Sequence, residues 1–378
     1  MQFSQIIGQD KIKEHLIAGA QRGRVPHAQL FAGELGFGGL PLALAYITYL
    51  NCTNRSDKDS CGECPSCVQM RSCAHPDVHY VFPVNTPKGK SSSTKPLSDH
   101  YLAQWREQVT STKGYFTEQE WYKTLDIENK EGNISTFEAD EIIRKLSFKS
   151  YESEFKVVLM FLPERMNRQA ANKLLKIIEE PWDKSLFIMV GLSASMLLET
   201  ISSRLQSLSI PPIESQPLLA ELIEGGISKD AAERLSRMSR GNYLDALRLY
   251  EQRDVVSDEF DFFVKLMRLS YENKHLELME LAEAVASLGR EQQKFLINNS
   301  IRLLRDSYMI NAGLENLCRL TDAEYSFCKK FAPFVNNKNI EFLVDQMELL
   351  IRDISSNANA RIAFTHFVLM VSKQIVAL

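Results

Sequence analysis

Two nearly unbroken apolar runs organise the first half of the chain. The run 155–162 carries Val157, Val158, Leu159, Met160, Phe161 and Leu162 between charged flanks, the pattern of a strand buried on both faces. The run 185–190 predicts a second such strand, and Ala28-Gln29-Leu30-Phe31-Ala32 a shorter third. Between them, 9–22, 40–50 and 170–180 read as helices, the last stopped by Pro181. This alternation predicts a parallel sheet wrapped by helices. Pro211-Pro212 marks a boundary, and from Leu218 onward every segment has helical spacing. Residues 227–250 predict a small helical lid and 256–378 a longer bundle. In the bundle Leu343, Met347, Leu350, Ile351 and Ile354 share one face, which suits an intramolecular core or an oligomeric collar.

Length and charge narrow this picture. A chain of 378 residues suggests two or three domains. The net charge of -4 excludes a generally basic nucleic-acid coat and leaves DNA contact to a local patch or a partner. Residues 1–10 lack the pattern of a secretory leader, and no apolar run approaches the roughly 18 residues a membrane span needs. A cytoplasmic protein without membrane contact is expected. Seven cysteines, five of them clustered, fit metal chemistry in a reducing compartment better than a disulfide framework.

One segment, 84–132, fits neither half. It opens with Pro87-Lys88-Gly89-Lys90-Ser91-Ser92-Ser93, a composition typical of flexible chain. Its charges balance, so a basic arm for DNA is not expected, while Tyr101, Trp105, Tyr115, Phe116, Trp121 and Tyr122 predict that part of it folds onto the domain. It reads as an insertion whose role the sequence leaves open.

Residues 30–40 have the frame of a strand, phosphate loop and helix. A working loop, GxxxxGK[ST], cradles phosphates on backbone amides, reaches them with its lysine and holds magnesium through its hydroxyl. Gly33, Gly36 and Gly38 keep the glycine frame, but Gly39 stands at the lysine position and Leu40 at the hydroxyl position. A glycine-rich turn alone is also an ordinary tight connection. The strand ending near 161 supports the stronger reading, since Phe161 and Leu162 occupy the places where an active enzyme carries its magnesium-binding Asp and catalytic Glu. Glu164 lies two residues too late to be assigned as the base. The loop is expected to be dead for hydrolysis, with no ATP in its own site.

Cys52, Cys61, Cys64 and Cys67 have the spacing C-x8-C-x2-C-x2-C, which suits a closed tetrahedral zinc site of structural kind; free thiols or an iron–sulfur cluster are the alternatives. Cys73, His75 and His79 are spare ligands nearby, the histidines reading more simply as hydrogen-bonded side chains.

Several longer stretches resemble the AAA+ clamp-loader family of the bacterial replicase. They are Phe3-Ser4-Gln5-Ile6-Ile7-Gly8-Gln9, Arg24-Val25-Pro26-His27-Ala28, His75-Pro76-Asp77, the stretch from Asn167 to Pro181 with its Ala171-Asn172-Lys173-Leu174-Leu175-Lys176 centre, Thr200-Ile201-Ser202-Ser203-Arg204-Leu205-Gln206 and Asn357-Ala358-Asn359. The fourth is a highly specific helix signature, the second the step before the first strand, and together they span nearly the whole chain outside the insertion. The resemblance implies an α/β AAA+ core with a zinc module at 52–67 and the insertion at about 84–132, all within 1–211. A small helical lid at 212–253 and a helical collar at 254–378 would follow.

It also implies that Arg204 acts in trans as an arginine finger on a neighbour's ATP, with Ser203 orienting the loop; a bare Ser-Arg pair would otherwise be plain surface. Leu205 departs from the usual cysteine, Leu244 from a second sensing arginine, and Gly191-Leu192 from a polar sensor. This pattern favours a non-hydrolysing subunit over a motor (tau/gamma) subunit. The implied setting is a DNA polymerase III hetero-pentamer of tau/gamma and delta subunits that loads the sliding clamp onto primed DNA in replication. An ATP-hydrolysing motor and a zinc-dependent DNA-binding protein are the rival readings.

Overall fold

The protein was analysed as a computed structural model that describes residues 1–86, 95–127, 130–251, 253–288, 290–318, 320–356 and 358–376. The 87–93 stretch and Asn357, singled out above, lie outside the described residues. The chain divides into two compact units, Met1–Leu247 and Arg248–Leu378.

The first unit is built on five parallel strands in the order β2-β3-β4-β1-β5. These are β1 (Ala28–Ala32), β2 (Val78–Val81), β3 (Lys156–Phe161), β4 (Ser185–Gly191) and β5 (Gln206–Ser209). Strands β3 and β4 are buried along their full length, as expected for a parallel sheet covered on both faces. The helices of this unit are α1 (Asp10–Gln21), α2 (Gly39–Asn51), α3 (Pro65–Arg71), α4 (Leu102–Ser111), α5 (Glu118–Thr124), α6 (Thr136–Ser147), α7 (Arg168–Glu179), α8 (Glu199–Ser202), α9 (Ser215–Glu224), α10 (Lys229–Met238) and the first part of α11 (Tyr243–Glu251).

Helix α2 is buried at all of its residues, which its lack of charge permits. Helix α7 is amphipathic instead: Ala170, Ala171, Leu174, Ile177 and Ile178 face the sheet, and Lys173 pairs with Asp140 outside. Asn167 caps it by accepting the Ala170 N–H at 2.7 Å, and Pro181 follows its end. One apolar cluster joins α2 to Phe161, Trp105, Phe116 and Trp121; a second joins α6 and α7 to the opposite sheet face. The α/β class expected from the sequence is the one observed.

The second unit is helical. It holds α12 (Arg253–Tyr271), α13 (His275–Ala286), α14 (Arg290–Asn311), α15 (Asp322–Phe331), α16 (Ile340–Ser355) and α17 (Ala360–Val376) around one core. The α16 stripe of Leu343, Met347, Leu350 and Ile354 is buried in that core, with Ile351 packed at its margin. Intramolecular packing thus accounts for the stripe. Asn359 precedes α17 and accepts the Ile362 N–H at 3.3 Å, an ordinary helix start. No helix among the described residues is long and apolar enough to cross a membrane.

Candidate functional site: a filled glycine loop and an outward arginine

The loop read as a phosphate loop joins the end of β1 to the start of α2. Gly38 has φ 92 and leads directly into α2, a conformation that L side chains rarely adopt. The space in front of the loop is occupied. A Cβ added at Gly36 would fall 1.7 Å from Asn242 Oδ1, so the Asn242 side chain lies flat against the loop. Its Nδ2 donates to Glu34 Oε2 at 2.9 Å. Gln9 Nε2 donates to the Phe37 carbonyl at 3.0 Å and to the Pro211 carbonyl at 2.6 Å, tying the opening segment, the loop and the 211–212 boundary together. The opening segment and Asn242 therefore have a structural task here.

Gly39 and Leu40 are both buried, Leu40 at 3% exposure, and a Cβ at Gly39 would stand 3.3 Å from Val190 Cγ1. At the two positions read as carboxylate sites the side chains are equally interior. Phe161 and Leu162 are each 1% exposed. The Phe161 ring lies 5.6 Å from that of Trp105 and 5.2 Å from that of Phe116, and Trp121 stands edge-on to Trp105 at 5.3 Å. Two aromatic residues of the insertion thus cover Phe161, with Trp121 packed behind them. Rings of this size contribute through buried area, with offset and edge contacts adding to it.

Glu164 is occupied elsewhere. Its Oε1 accepts the Leu192 N–H at 3.1 Å, and a Cβ at Gly191 would meet its Oε2 at 2.5 Å. Burial pushes its carboxyl above the ordinary carboxylate range. It closes the end of β4, where the sequence lacked a polar sensor.

Arg204 sits after α8 with a half-buried, outward side chain. Its Nε lies 3.1 Å from Glu179 Oε2, the carboxylate that ends α7, and its Nη1 donates to the Thr200 carbonyl at 2.9 Å. Ser203 is exposed, and its backbone N–H donates to the Glu199 carbonyl at 3.0 Å. Main-chain bonds of Ser203 to Glu199 and of Arg204 to Ile201 position the loop.

The sulfurs of Cys52, Cys61, Cys64 and Cys67 lie within 4.8 Å of one another, with Cys52–Cys61 at 3.5 Å and Cys61–Cys67 and Cys52–Cys64 at 3.9 Å. Tetrahedral zinc with Zn–S of about 2.3 Å requires sulfurs about 3.8 Å apart, so the four thiols fit a metal ion. The N–H groups of Glu63 and Cys64 lower the Cys61 thiol's pKa, whereas burial raises Cys52 and Cys67. At Cys64 burial acts upward but is outweighed by the Cys67 N–H and by Thr53, leaving it at about 6. Four thiolates this close repel, and a bound dication would offset that repulsion. Cys73, His75 and His79 stand outside the four-thiol group. His75 accepts the Asp77 N–H at 3.1 Å and meets Ser153 Oγ at 2.9 Å; Asp77 accepts the N–H groups of Tyr151, Glu152 and Ser153. Burial holds both histidines below the usual range, His79 at about 4. The His75-Pro76-Asp77 motif is thus a loop staple.

Residues 8–214 match the family model described as DNA polymerase III, delta subunit. The chain belongs to that family. Among curated relatives, the DNA polymerase III subunit delta' of Bacillus subtilis is 23% identical over 97% of this chain and 96% of its own length. DNA polymerase III subunit gamma/tau of Mycobacterium tuberculosis is 24% identical over 66% of this chain but only 36% of that protein. A solved gamma subunit-related protein of Thermotoga maritima is 16% identical, with a TM-score of 0.40 over 96% of this chain and 99% of that one. The family expected from the sequence motifs is the family found, and the first unit has the expected α/β sheet.

Proposed function

We propose that this chain is a non-hydrolysing, delta-prime-type subunit of a DNA polymerase III clamp loader. In this reading it joins tau/gamma and delta subunits in a hetero-pentamer, helps place the sliding clamp on primed DNA, and lends Arg204 to the ATP of a neighbour. The carrying observation is a contrast in exposure. Gly39, Leu40, Phe161 and Leu162 are all interior, while the Arg204 side chain is 34% exposed. An exposed ion pair such as Arg204–Glu179 contributes under about 1 kcal/mol, so exchanging Glu179 for a partner's phosphate costs little. A guanidinium placed there neutralises charge on the transferred phosphoryl oxygens, an effect worth about 10³–10⁵ in rate. Residues 1–211, 212–253 and 254–378 would serve as core, lid and collar.

The four cysteines would hold zinc, whose closed thiolate shell supplies structure to 52–67 and leaves no open position for catalysis. The gamma/tau relatives raise the alternative of a motor subunit, against which the missing lysine, hydroxyl and carboxylates all speak. The test is clamp loading onto primed DNA by the reconstituted complex, beside ATP turnover by the isolated chain. Arg204→Ala is expected to slow loading, and the isolated chain is expected to turn over no ATP. Turnover by the chain alone would favour the motor reading.

A further inference from the structure

We propose that the turn between α4 and α5 is a built-in occupant of the cleft above the phosphate loop, with Tyr115 standing where a nucleotide would have to enter. This rests on reading residues 33–40 as a phosphate loop that has lost its chemistry.

The insertion does two separable things. Its helices supply Trp105 and Trp121 to the core around Phe161, which extra packing alone would explain. Its tip is different. Lys113 and Gly114 both have positive φ, 53 and 76, and this pair of left-handed residues turns the chain sharply between the two helices. The turn brings Gly114 against Pro41 in the first turn of α2, where an added Cβ would stand 3.4 Å from the proline ring. It places the Tyr115 hydroxyl 3.0 Å from where a Gly38 Cβ would be, at the N-terminus of α2. Helix N-termini with glycine-rich approaches are where phosphates are held, because the free amides and the helix dipole both favour an anion. Here that approach is closed by a neutral phenol.

The remaining contacts fix the tip from three sides. The Ile7 N–H donates to the Tyr115 hydroxyl at 3.3 Å, giving the one polar atom of a 3% exposed side chain a partner. The Tyr243 ring meets the Tyr115 ring edge-on at 5.1 Å. Lys113 Nζ lies 3.1 Å from Glu221 Oε1 on α9. The tip therefore touches the opening segment, the loop and the helices after 211 together. Burial raises the Tyr115 pKa far above the physiological range, so the phenol stays neutral. It follows that restoring lysine and hydroxyl would not by itself restore nucleotide binding.

The experiment titrates the full chain with a fluorescent ATP analogue and magnesium. Gly39→Lys with Leu40→Thr is expected to show no saturable binding. Adding Tyr115→Gly to that pair is expected to give binding at least about tenfold tighter. Hydrogen exchange supplies an independent readout: in Tyr115→Gly alone, the amides of Ile7 and of residues 38–40 should exchange at least about tenfold faster. Equal binding by the double and triple variants overturns the proposal, as does unchanged exchange. If the triple variant fails to bind although its amides have opened, the nucleotide claim falls together with the phosphate-loop reading, while the docked tip stands. Should the glycine variant not fold, Tyr115→Phe keeps the ring, and faster exchange confined to Ile7 is expected; no change at Ile7 overturns the contact.

Discussion

Around Phe161 every position that an active enzyme would use for chemistry has become interior. Leu40, Phe161 and Leu162 pack among Trp105, Phe116 and Trp121, and Asn242 lies on the loop. Around Arg204, on the same sheet unit, nothing has been filled: the guanidinium meets the Glu179 carboxylate and the Thr200 carbonyl at the surface. The difference is instructive because packing explains the first region and not the second. Once a lysine or carboxylate no longer serves a nucleotide, an apolar replacement gains buried area at no loss. An arginine held by weak surface contacts can be redirected at little cost, which is what the proposed role on a neighbour's ATP requires.

This comparison can be broken at several points. The largest effect is expected for Phe161→Asp, which buries an unpaired carboxylate against the Trp105 and Phe116 rings. The variant should lose more stability than Phe161→Ala, itself expected to lose about 3–5 kcal/mol in denaturant unfolding. Recovered ATP turnover in the aspartate variant would contradict the filled-site account. Next in size is the cysteine cluster. Elemental analysis should find about one zinc per chain, and Cys64→Ser should reduce that content sharply and loosen 52–67 to proteolysis.

A pH effect follows from Glu138, which is 2% exposed and accepts the Ser98 N–H at 2.7 Å, where it anchors the insertion. Burial raises its carboxyl to about 7 from 4.5. The folded state therefore binds the proton more tightly than the unfolded state. Its stabilising contribution is full below about pH 4.5 and is lost as pH rises through about 7, on the order of 3 kcal/mol in all. Glu138→Gln should flatten that slope in unfolding measured across pH 5–8. The smallest effect belongs to Lys113→Ala, where an exposed pair with Glu221 should contribute under about 0.5 kcal/mol to the melting behaviour.

Much of the first unit was legible because its strands obey simple patterns. The predicted helix 40–50 and strands 155–162 and 185–190 lie within about two residues of α2, β3 and β4. Strands β2 and β5 were missed, and both are edge strands of four residues. Gln206-Ser207-Leu208-Ser209 pairs on one side only, so no apolar run marks it. The insertion's aromatic content announced that it folds, but not that Trp105 and Phe116 meet Phe161, a contact set by long-range packing. The four cysteines were legible from spacing alone, because three of them fall within one short segment. Nothing in the sequence linked Tyr115 to Ile7 or Gly38. Those contacts depend on a left-handed turn at Lys113, a residue that ordinarily avoids it.

The central claim is that this chain carries no working site of its own but completes another. ATP turnover by the complex reconstituted with its partner subunits, comparing wild type, Leu40→Thr and Arg204→Ala, tests it most directly. The account predicts unchanged turnover for Leu40→Thr and a fall of at least about tenfold for Arg204→Ala, since a missing finger costs about 10³ or more at its site. Turnover by the Arg204→Ala complex equal to wild type would contradict it.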